Sequence, residues 1–559
     1  MKRPTLVTLL LFGAGLALAQ TEEATPKFIA ADVHVSPKLA NPNQAFPRST
    51  PPQGGRYEIR NSTMVDLIRY AYGTDPDKII GGPNWLEMDR FDITAKLPPD
   101  TNADNRKLML QGLLKERFHL VTHPDSKPMP QNFLIVGKKP QLKQAEGTEE
   151  SGCKPQQAAG APAEGGIRLT TMGPNGGAPM TINLGPGMSV QYSCRNISMA
   201  GFVSGLRTMM FANLGTNPVI DETGLKGNWN FDLRFSVSMF GPMNSTGDRV
   251  TLPEAIEKQL GLKLEERQVP TPVMVVDSAN KNPTPNPAGT AEAIPPVALP
   301  TEFEVATIKL ATGDMRMSRY SMQPGGRVVA EGMPLRFLLS RAFNTNNNDQ
   351  IVNVPQFAQT DRYDINAKVA SGGPAIGPMD MDAVAPMLLA LLKERFKLTY
   401  HTEERPMTTY ALVASKPKMK KADPASRAFC KNMPPQPGGP PAQRILKCQN
   451  VTMEQFAERL QGMSPDMQWP VADTTELAGT WDFSLAFSMR PMMVGPGGGR
   501  GAPMGEGGGA SAVPTASEPA EGYTIFEAIE KQLGLKLEKQ KKNMPVYVID
   551  HMESKPIEN

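Results

Sequence analysis

The stretch Leu113–Leu120 reads LLKERFHL, and it returns almost unchanged as LLKERFKL at Leu391–Leu398. Two further blocks recur around it in the same order: DRFDITAK at 89–96 as DRYDINAK at 361–368, and EAIEKQLGLKLE at 254–265 letter for letter at 527–538. Self-similarity at a long, fixed spacing is the sequence signature of a repeated structural unit. The chain therefore contains two copies of one module of roughly 250 residues.

The recurring stretch marks a change from helical to strand periodicity. Apolar residues at helical spacing predict a helix that Asp104 caps and that ends near Arg117. From Phe118 onward, apolar and polar residues alternate, which predicts a strand. The prolines of Pro124–Pro130 then predict a turn, and Asn132–Val136 is expected to be the hairpin partner of that strand.

The end of each module predicts a further helix and two more strands. Thr251 and Glu254 form a capping box that starts the helix, and Gly261 fits the C-cap position that ends it. Strands are predicted at Leu262–Leu264 and Val273–Val276. The second half of a module follows the order of the first half, so each module is itself predicted to be a duplication of one small α/β unit.

These patterns predict an α+β fold of two tandem, similar modules, each built from helices packed on mainly antiparallel sheets. The predicted domains are an export signal at 1–19, a first module at 25–278, a Pro-rich linker at 279–300 and a second module at 301–551. The linker is rich in Pro, Asn, Ala and Thr, a composition that predicts a flexible segment. Further tracts rich in Pro or Gly predict disordered insertions at 155–186, 434–441 and 495–509.

The first residues have the pattern of a cleaved export signal. Lys2 and Arg3 precede the apolar run Leu6–Leu18. The tripeptide Ala-Leu-Ala at 17–19 fits the small-x-small cleavage pattern, so Gln20 is expected to start the mature chain. The apolar run is shorter than a comfortable transmembrane helix, and no later stretch reaches about 18 uninterrupted apolar residues. We therefore expect an exported protein, periplasmic or extracellular, with no integral membrane segment in the mature chain.

Charge and cysteine content narrow the class of protein. The formal net charge is +3, from 59 Lys and Arg against 56 Asp and Glu, which argues against a dedicated nucleic-acid binder. Each module carries one pair of cysteines, Cys153 with Cys194 and Cys430 with Cys448. In an exported chain these pairs predict one disulfide per module. A metal site is the alternative, but two cysteines without a nearby histidine pair make a poor zinc site.

The ordered blocks carry a family resemblance. An opening strand with an aromatic residue comes first, followed by a helix that ends in AY and then by GGPNW, DRFDITAK, LLKERFHL, VIDETGLKG, LGLKLE and PVMVVD. This set resembles a large paralogous family of exported proteins from soil Acidobacteria that is classed as a domain of unknown function, here in two tandem copies. The second copy departs locally, with IVNVP at 351–355 and TELAG at 475–479.

The resemblance implies export and a soluble domain, and it implies no catalytic residues. The unit that ends in LGLKLE and a pair of strands is also similar to the small α/β domains at the N-termini of secretins and TonB-dependent receptors. That likeness concerns the fold and says little about function.

Few residues qualify as site candidates. His123 and His401 occupy matching positions in the two copies, but neither has a fixed Ser or Cys partner, which favours a structural role over a catalytic one. Trp229 and Trp481 begin matching strands and fit either ligand stacking or packing at the core edge. The arginines of DRFD and DRYD are expected to join neighbouring carboxylates in surface ion pairs. The sequence predicts no catalytic residue, cofactor site or metal site.

Three functions remain open. An exported, non-catalytic binding or interaction protein of unknown ligand, for envelope sensing or scaffolding, is favoured because duplicated modules suit multivalent contact. Its partner would be a protein or another envelope component, without nucleic acid. An unrecognised secreted hydrolase is the first alternative, although the chain lacks the common hydrolase motifs. A copper-handling protein is the second, because thioethers suit Cu(I) and methionines cluster at Met315, Met317, Met489, Met492 and Met493.

Overall fold

The computed structural model of the chain describes residues 25–37, 47–49, 51–52, 54–137, 139–147, 150–155, 167–171, 180–184, 189–209, 219–236, 250–295, 300–311, 318–323, 326–345, 347–369, 381–433, 443–464, 467, 469–488 and 523–557. Within these residues the chain forms 26 strands and ten α-helices. No helix of this described part is long and apolar enough to cross a membrane.

The elements follow the same order in both halves of the chain. The first half contains β1 (Ala30–Val35), β2 (Arg48–Ser49), β3 (Arg56–Thr63), α1 (Met64–Tyr72), β4 (Ile79–Gly81), β5 (Arg90–Lys96), α2 (Ala103–Phe118), β6 (Val121–Val136), β7 (Lys143–Gln144), β8 (Gly152–Pro155), β9 (Ile167–Thr171), β10 (Met180–Leu184), β11 (Ser189–Ser198), α3 (Met199–Met209), β12 (Val219–Asp221), β13 (Asn228–Ser236), α4 (Leu252–Ala255), β14 (Leu262–Ser278) and α5 (Thr290–Ala293). The second half contains β15 (Phe303–Leu310), β16 (Arg319–Gln323), β17 (Arg327–Pro334), α6 (Leu335–Ala342), β18 (Ile351–Val352), α7 (Gln356–Thr360), β19 (Arg362–Val369), α8 (Met381–Phe396), β20 (Thr399–Ala414), β21 (Lys420–Lys421), β22 (Phe429–Met433), β23 (Gln443–Val451), α9 (Met453–Leu460), β24 (Val471–Asp473), β25 (Trp481–Ser488), α10 (Ile525–Ala528) and β26 (Leu535–His551).

The sheets confirm the predicted α+β class with mainly antiparallel pairing. Each module has two outer sheets, with strand orders β1-β5-β3-β2 and β7-β13-β11-β8 in the first module and β15-β19-β17-β16 and β21-β25-β23-β22 in the second. A further sheet joins them, β12-β6-β14-β4 in the first module and β18-β26-β20-β24 in the second, and β9 and β10 form an additional two-stranded sheet in the first module. We call the half-module around the first outer sheet unit A and the half-module around the second unit B.

The duplication predicted within each module is present. In every unit an inner strand leads into a helix, a short strand, a second inner strand, a second helix and one long strand. The four largest apolar clusters correspond to the four units. The recurring stretch supplies the centre of two of them, because Leu114 and Phe118 in the first module and Leu392 and Phe396 in the second are fully buried.

The observed helix ends lie close to the predicted ones. The side chain of Asn102 caps α2, two residues before the predicted cap Asp104, and the helix continues to Phe118. Asparagine and aspartate are equally good N-caps, so the sequence leaves this choice open. The capping box of Thr251 and Glu254 is confirmed, with both of its reciprocal hydrogen bonds present.

A long two-stranded ribbon joins the two units of a module. β6 and β14 pair antiparallel from Val121↔Ser278 to Val136↔Leu262, and β20 and β26 form the matching ribbon in the second module. The short strand β4 of unit A adds in parallel to β14, and β12 of unit B adds in parallel to β6. Each ribbon strand therefore begins in one unit and ends in the other, and the two units complete each other's sheets.

The hairpin predicted within this region is wrong. β6 runs without interruption through Pro124–Pro130, and its partner is β14 rather than Asn132–Val136. In the same way, the predicted strands Leu262–Leu264 and Val273–Val276 are two ends of one strand. Both errors have the same source, because prolines and polar residues in the middle of the ribbon resemble a turn when the pairing register is unknown.

The register explains how the ribbon accepts prolines. Successive pairs spaced two residues apart contain all five of them: Pro124↔Met274, Ser126↔Pro272, Pro128↔Pro270 and Pro130↔Gln268. In an antiparallel ladder, alternate pairs exchange no hydrogen bonds and point their N–H groups away from the partner strand. Proline has no N–H, so it removes no ladder bond at these positions. It also leaves the outer edge of the ribbon poor in donors for another strand.

Residues 279–295, which the sequence assigns to a flexible linker, lie against the first module. The N–H of Thr284 donates to the carbonyl of Arg117 at 2.8 Å. The Arg117 side chain, only 2% exposed, donates back to the carbonyl of Thr284 at 3.0 Å and to Asn286 Oδ1 at 2.7 Å. Asn286 Oδ1 also accepts from the N–H of Val33 on β1 at 3.0 Å. This segment therefore covers the outer edge of the unit A sheet.

The residues after β26 take the same path on the second module. The N–H groups of Glu553 and Ile557 donate to the carbonyls of Phe396 and Arg395, at 2.8 and 2.9 Å. These contacts match those of the segment 279–295 on the first module. The repeated contacts thus continue past residues 278 and 551, the predicted ends of the modules.

The two modules touch where unit A of the first meets unit B of the second. The N–H of Ala428 donates to the carbonyl of Asn84 at 3.0 Å. The carboxylate of Glu87 lies 3.2 Å from the guanidinium of Arg427 and 3.2 Å from the ammonium of Lys431. We call this contact the intermodule seam.

Candidate functional site

One hydrogen bond from a backbone N–H to a side-chain oxygen recurs in all four units, and it explains why Asp92 and Asp364 occur at matching positions. The first inner strand of each unit contains a β-bulge with a residue of φ between 45° and 59°: Asn61, Asn196, Gly332 and Asn450. The N–H of that residue donates at 2.7–2.8 Å to a side-chain oxygen on the neighbouring strand, from Asp92, Asn230, Asp364 and Asp482 respectively. The final aspartates of DRFD and DRYD therefore hold the backbone just before a helix begins.

The arginines of the same motifs also support the bulge. Arg90 Nη1 donates to the carbonyl of Asn61 at 2.7 Å, and Arg362 Nη1 donates to the carbonyl of Gly332 at 2.8 Å. This differs from the expected surface ion pairs, because the acceptors are main-chain oxygens. Burial lowers the pKa of Arg90, and the charge of Asp66 opposes that shift. The shared Arg and Asp residues are thus used to fix the fold.

Each of the two matching histidines lies beside an aspartate near one end of its ribbon. His123 Nδ1 is 2.9 Å from Asp277 Oδ2, and His401 Nδ1 is 2.8 Å from Asp550 Oδ1. About half of each histidine side chain is exposed, 51% and 52%. Such a pair supplies a base and a carboxylate to orient it, which are two parts of a hydrolytic triad. Within the described residues, neither histidine hydrogen-bonds to a hydroxyl or thiol, so the nucleophile is missing.

The candidate tryptophans lie at the core edge of the two B units. Trp481 is 8% exposed and belongs to the core, and Trp229 packs against the equivalent cluster. The ammonium of Lys421 lies 4.6 Å from the ring centroid of Trp481, so protein already contacts this ring. Both indole N–H groups are buried, and neither has a hydrogen-bond partner in the part of the chain that the structure describes. Ligand stacking at these rings stays a prediction.

Both predicted disulfides are present. Cys153 on β8 is directly opposite Cys194 on β11, and Cys430 on β22 is directly opposite Cys448 on β23. The Cα–Cα distances are 4.0 and 4.1 Å. Each bridge ties an edge strand of unit B to the strand beside it, and a bridge of this kind stabilises a domain by about 2–4 kcal/mol.

No metal centre is found among the described residues. In these ranges no group of three or more His, Cys, Asp or Glu side chains is arranged to hold a metal ion. The methionines that suggested copper binding all lie outside the described residues: Met315, Met317, Met489, Met492 and Met493.

A groove of about 900 Å³ crosses unit A of the first module. One side is the segment Thr25–Ala31, which leads into β1, and the other side is α2. Tyr72 at the end of α1 and Pro287 from the segment after β14 complete the lining. This volume falls within the range of small-molecule and peptide sites.

The groove combines exposed apolar side chains with charge of both signs. Ile29, Leu108 and Val121 line it and are 56%, 40% and 52% exposed. Gly112 lies among them on α2, and a Cβ atom built there would meet nothing within 4 Å. The charged residues of the lining are Lys27, Lys115, Glu116 and the buried Arg117. The surface therefore suits a ligand that is itself partly apolar and partly polar, such as an extended peptide segment.

The sequence contained a weak signal for this groove. Leu108 and Gly112 are four residues apart on α2, on the side away from the buried Leu110 and Leu114. An apolar residue and a glycine on the solvent side of an otherwise polar helix face are unusual. At the matching positions of the second module the chain has Pro386 and Ala390. The signal was weak because the other side of the groove comes from residues about 80 positions earlier.

Comparison with known proteins identifies one family. The model described as "Protein of unknown function (DUF3738)" matches residues 65–279 and again residues 336–552, which together cover more than half of the chain. One match lies in each module, and it begins within α1 in the first module and within α6 in the second. No curated protein matches, and no solved structure matches.

Proposed function

The chain belongs to the DUF3738 family of proteins of unknown function, with two copies of its domain, and from this premise we propose that it is a non-catalytic binding protein. Its ligand is an extended, partly apolar segment of another polypeptide, and the groove of the first module is the binding surface. The proposal includes export to the periplasm or medium, a partner in the envelope, and a place in the paralogous family of soil Acidobacteria that the motifs resemble.

The observation that supports this proposal most strongly is the use of the polar side chains that both modules share. Asp92 and Asp364 accept from bulge N–H groups, and Arg90 and Arg362 donate to bulge carbonyls. A catalytic centre needs several polar groups directed at one reacting atom. In the described residues these four side chains instead contact the backbone, which favours a scaffold that binds.

The groove supplies the contact surface that such a scaffold needs. Three large apolar side chains are left partly exposed along it, and exposed apolar surface of this kind marks interaction sites. The charged residues Lys27, Lys115 and Glu116 provide partners for the polar groups that an extended peptide carries at every residue.

A peptide-display selection on the full chain tests the proposal. Gly112→Trp fills the groove, and Gly112→Ala is the matched control at a position with no atom within 4 Å of the added carbon. We expect selected peptides to bind the parent chain and the alanine variant alike. The tryptophan variant should bind them at least about tenfold more weakly, through loss of contact area. Equal binding by both variants would show that the groove is not the site.

A secreted hydrolase is the second candidate, because a His–Asp pair occurs at the same place in both modules. A broad screen of ester, peptide and glycoside substrates compares the parent chain with a His123→Ala, His401→Ala double variant. The binding proposal predicts that no turnover depends on these residues. Turnover that disappears in a double variant with an unchanged melting temperature would establish the hydrolase and refute the non-catalytic proposal.

A further inference from the structure

Lysines lie on both walls of the groove in the first module. Lys27 belongs to the segment Thr25–Ala31 and Lys115 to α2, and both residues are exposed. Within the described residues neither ammonium group has an ion-pair partner. The lining as a whole carries two positive charges in excess, from three cations against one carboxylate, because it also contains the buried Arg117 and Glu116. The groove therefore presents positive charge beside its exposed apolar side chains.

The strand wall of the groove has the opposite charge at the matching positions of the second module. The opening strands β1 and β15 align through their pairing with the matching strands β5 and β19. In this alignment Glu302 takes the place of Lys27. Glu304 takes the place of Ile29, which is 56% exposed in the groove. Because unit A has the same sheet order in both modules, its fold does not require the basic and apolar residues of this wall.

The lysine on the helix wall recurs, but its surroundings differ. Lys393 takes the place of Lys115, and its ammonium lies 5.1 Å from the ring centroid of Tyr400. The first module has Thr122 where the second has Tyr400, so Lys115 lacks this cation–π contact. A cation in the last turn of a helix is favoured by the helix dipole, which explains why both copies keep the lysine. In the described part of the chain, the ammonium of Lys115 is left for a ligand.

The exposed apolar residues of the groove also differ between the two modules. Leu108 corresponds to Pro386, and Val121 corresponds to Thr399. Together with Ile29, these are the three large apolar side chains that the lining leaves exposed. None of the three is kept as a large apolar residue in the second module, so the apolar surface and the added positive charge occur together at one place. Exposed apolar surface that the fold does not require is typical of a surface that a ligand covers.

We propose that the ligand of this groove is acidic: an extended peptide segment whose Asp or Glu carboxylates meet Lys27 and Lys115 while its apolar side chains cover the exposed apolar residues of the lining. This assignment rests on the proposed peptide-binding function and adds the charge of the partner. Complementary charge selects among partners, because like charges placed together are unfavourable. A fatty acid has a single carboxylate, whereas carboxylates spaced along a peptide reach lysines on both walls.

Selection from a random library of displayed peptides tests the charge of the ligand. It is run on the full parent chain and on Gly112→Trp, and we expect the peptides that only the parent chain binds to be enriched in Asp and Glu. The tightest of them is then synthesised as two probes, one with its carboxylates and one with Asn and Gln in their place. The amide probe should bind roughly three- to tenfold more weakly, and the difference should shrink at high salt, since exposed ion pairs are weak and screened.

A change of Lys27 identifies the protein side of the ion pair. Lys27→Glu introduces the residue type of the second module and should weaken binding of the acidic probe. It should change binding of the amide probe much less, because the interaction that Lys27 makes is already absent there. The matched control is Lys263→Glu, which makes the same change of charge at an exposed position of β14 outside the groove and should bind both probes as the parent chain does. Circular dichroism checks that both variants fold.

The possible results separate this assignment from the peptide-binding function itself. Groove-dependent peptides that are neutral or basic would overturn the acidic ligand and leave the peptide-binding function standing. The same holds if Lys27→Glu and Lys263→Glu bind the acidic probe equally well. A library that yields no groove-dependent peptide would contradict both proposals. Anionic phospholipid vesicles that bind the parent chain but not Gly112→Trp would make the ligand a lipid and overturn the assignment of a peptide.

Discussion

At the scale of single residues, the bulge contact of the four units predicts which replacements of its acceptor are tolerated. Asn230 accepts from a bulge N–H in the first module as Asp482 does in the second. Asp482→Asn keeps an acceptor for Asn450, a residue that is only 1% exposed, and should leave the free energy of unfolding nearly unchanged. Asp482→Ala leaves that N–H without a partner and should cost about 1–3 kcal/mol. Urea denaturation distinguishes the two, and equal losses would contradict the role assigned here.

Single residues also show where sequence analysis succeeds and where it stops. The pairing of Cys153 with Cys194 was predictable, because each module has one pair of cysteines and no competing partner. The role of Asp92 was not predictable, because it accepts a hydrogen bond from the main-chain N–H of Asn61. Every residue except proline has such an N–H, so the sequence does not single out this partner. The seam residue Glu87 was hidden for a similar reason, since Arg427 is 340 positions away.

At the scale of elements, the ribbon register predicts where a new proline is tolerated. Gln268 pairs with Pro130, in the class of pairs without ladder hydrogen bonds, whereas Val269 pairs with Met129 in the other class. Val269→Pro removes a ladder bond and should destabilise the protein by about 3 kcal/mol or more. Gln268→Pro removes none and should change stability by about 0.5 kcal/mol or less, as most exposed substitutions do. Thermal and urea unfolding of the two variants, one residue apart, provide the comparison; similar losses would argue against the register.

The elements that sequence periodicity predicts well are those that depend on local contacts. The helix α2, with its buried leucines, and the capping box at Thr251 are of this kind. The ribbon depends instead on pairing between β6 and β14, which are more than a hundred residues apart, and its prolines locally favour a turn. Tertiary pairing overrides that local preference, so the prediction failed in the middle of the ribbon while the ends were correctly assigned to strands.

At the scale of the whole molecule, composition and structure lead to opposite predictions of how readily a protease cuts the segment after β14. Its Pro-rich composition predicts that mild proteolysis cuts first within 279–300. Its contacts with Arg117 predict that 279–295 is protected in the parent chain. Arg117→Met should remove that protection and lower the free energy of unfolding by about 1–3 kcal/mol. Mass spectrometry of early fragments gives the order of cuts.

Lys115→Met is the control for this experiment, because Lys115 lies on the same helix with its side chain exposed. The early proteolytic fragments of the Lys115→Met variant should match those of the parent chain. Early cuts within 279–295 of the parent chain would support a flexible linker and refute the protective contact.

The exchange of strands between units has a consequence for how the polypeptide folds during its synthesis. β6 emerges more than a hundred residues before β14, the strand that completes its sheet. Contacts so distant in sequence make folding slow, and an unpaired strand is meanwhile open to aggregation. Pro124, Pro128 and Pro130 leave the edge of β6 that faces away from β14 without donors at those positions, so a neighbouring nascent chain finds little to pair with there. We therefore expect the prolines that locally favour a turn also to limit pairing with other chains along this edge before β14 has been synthesised.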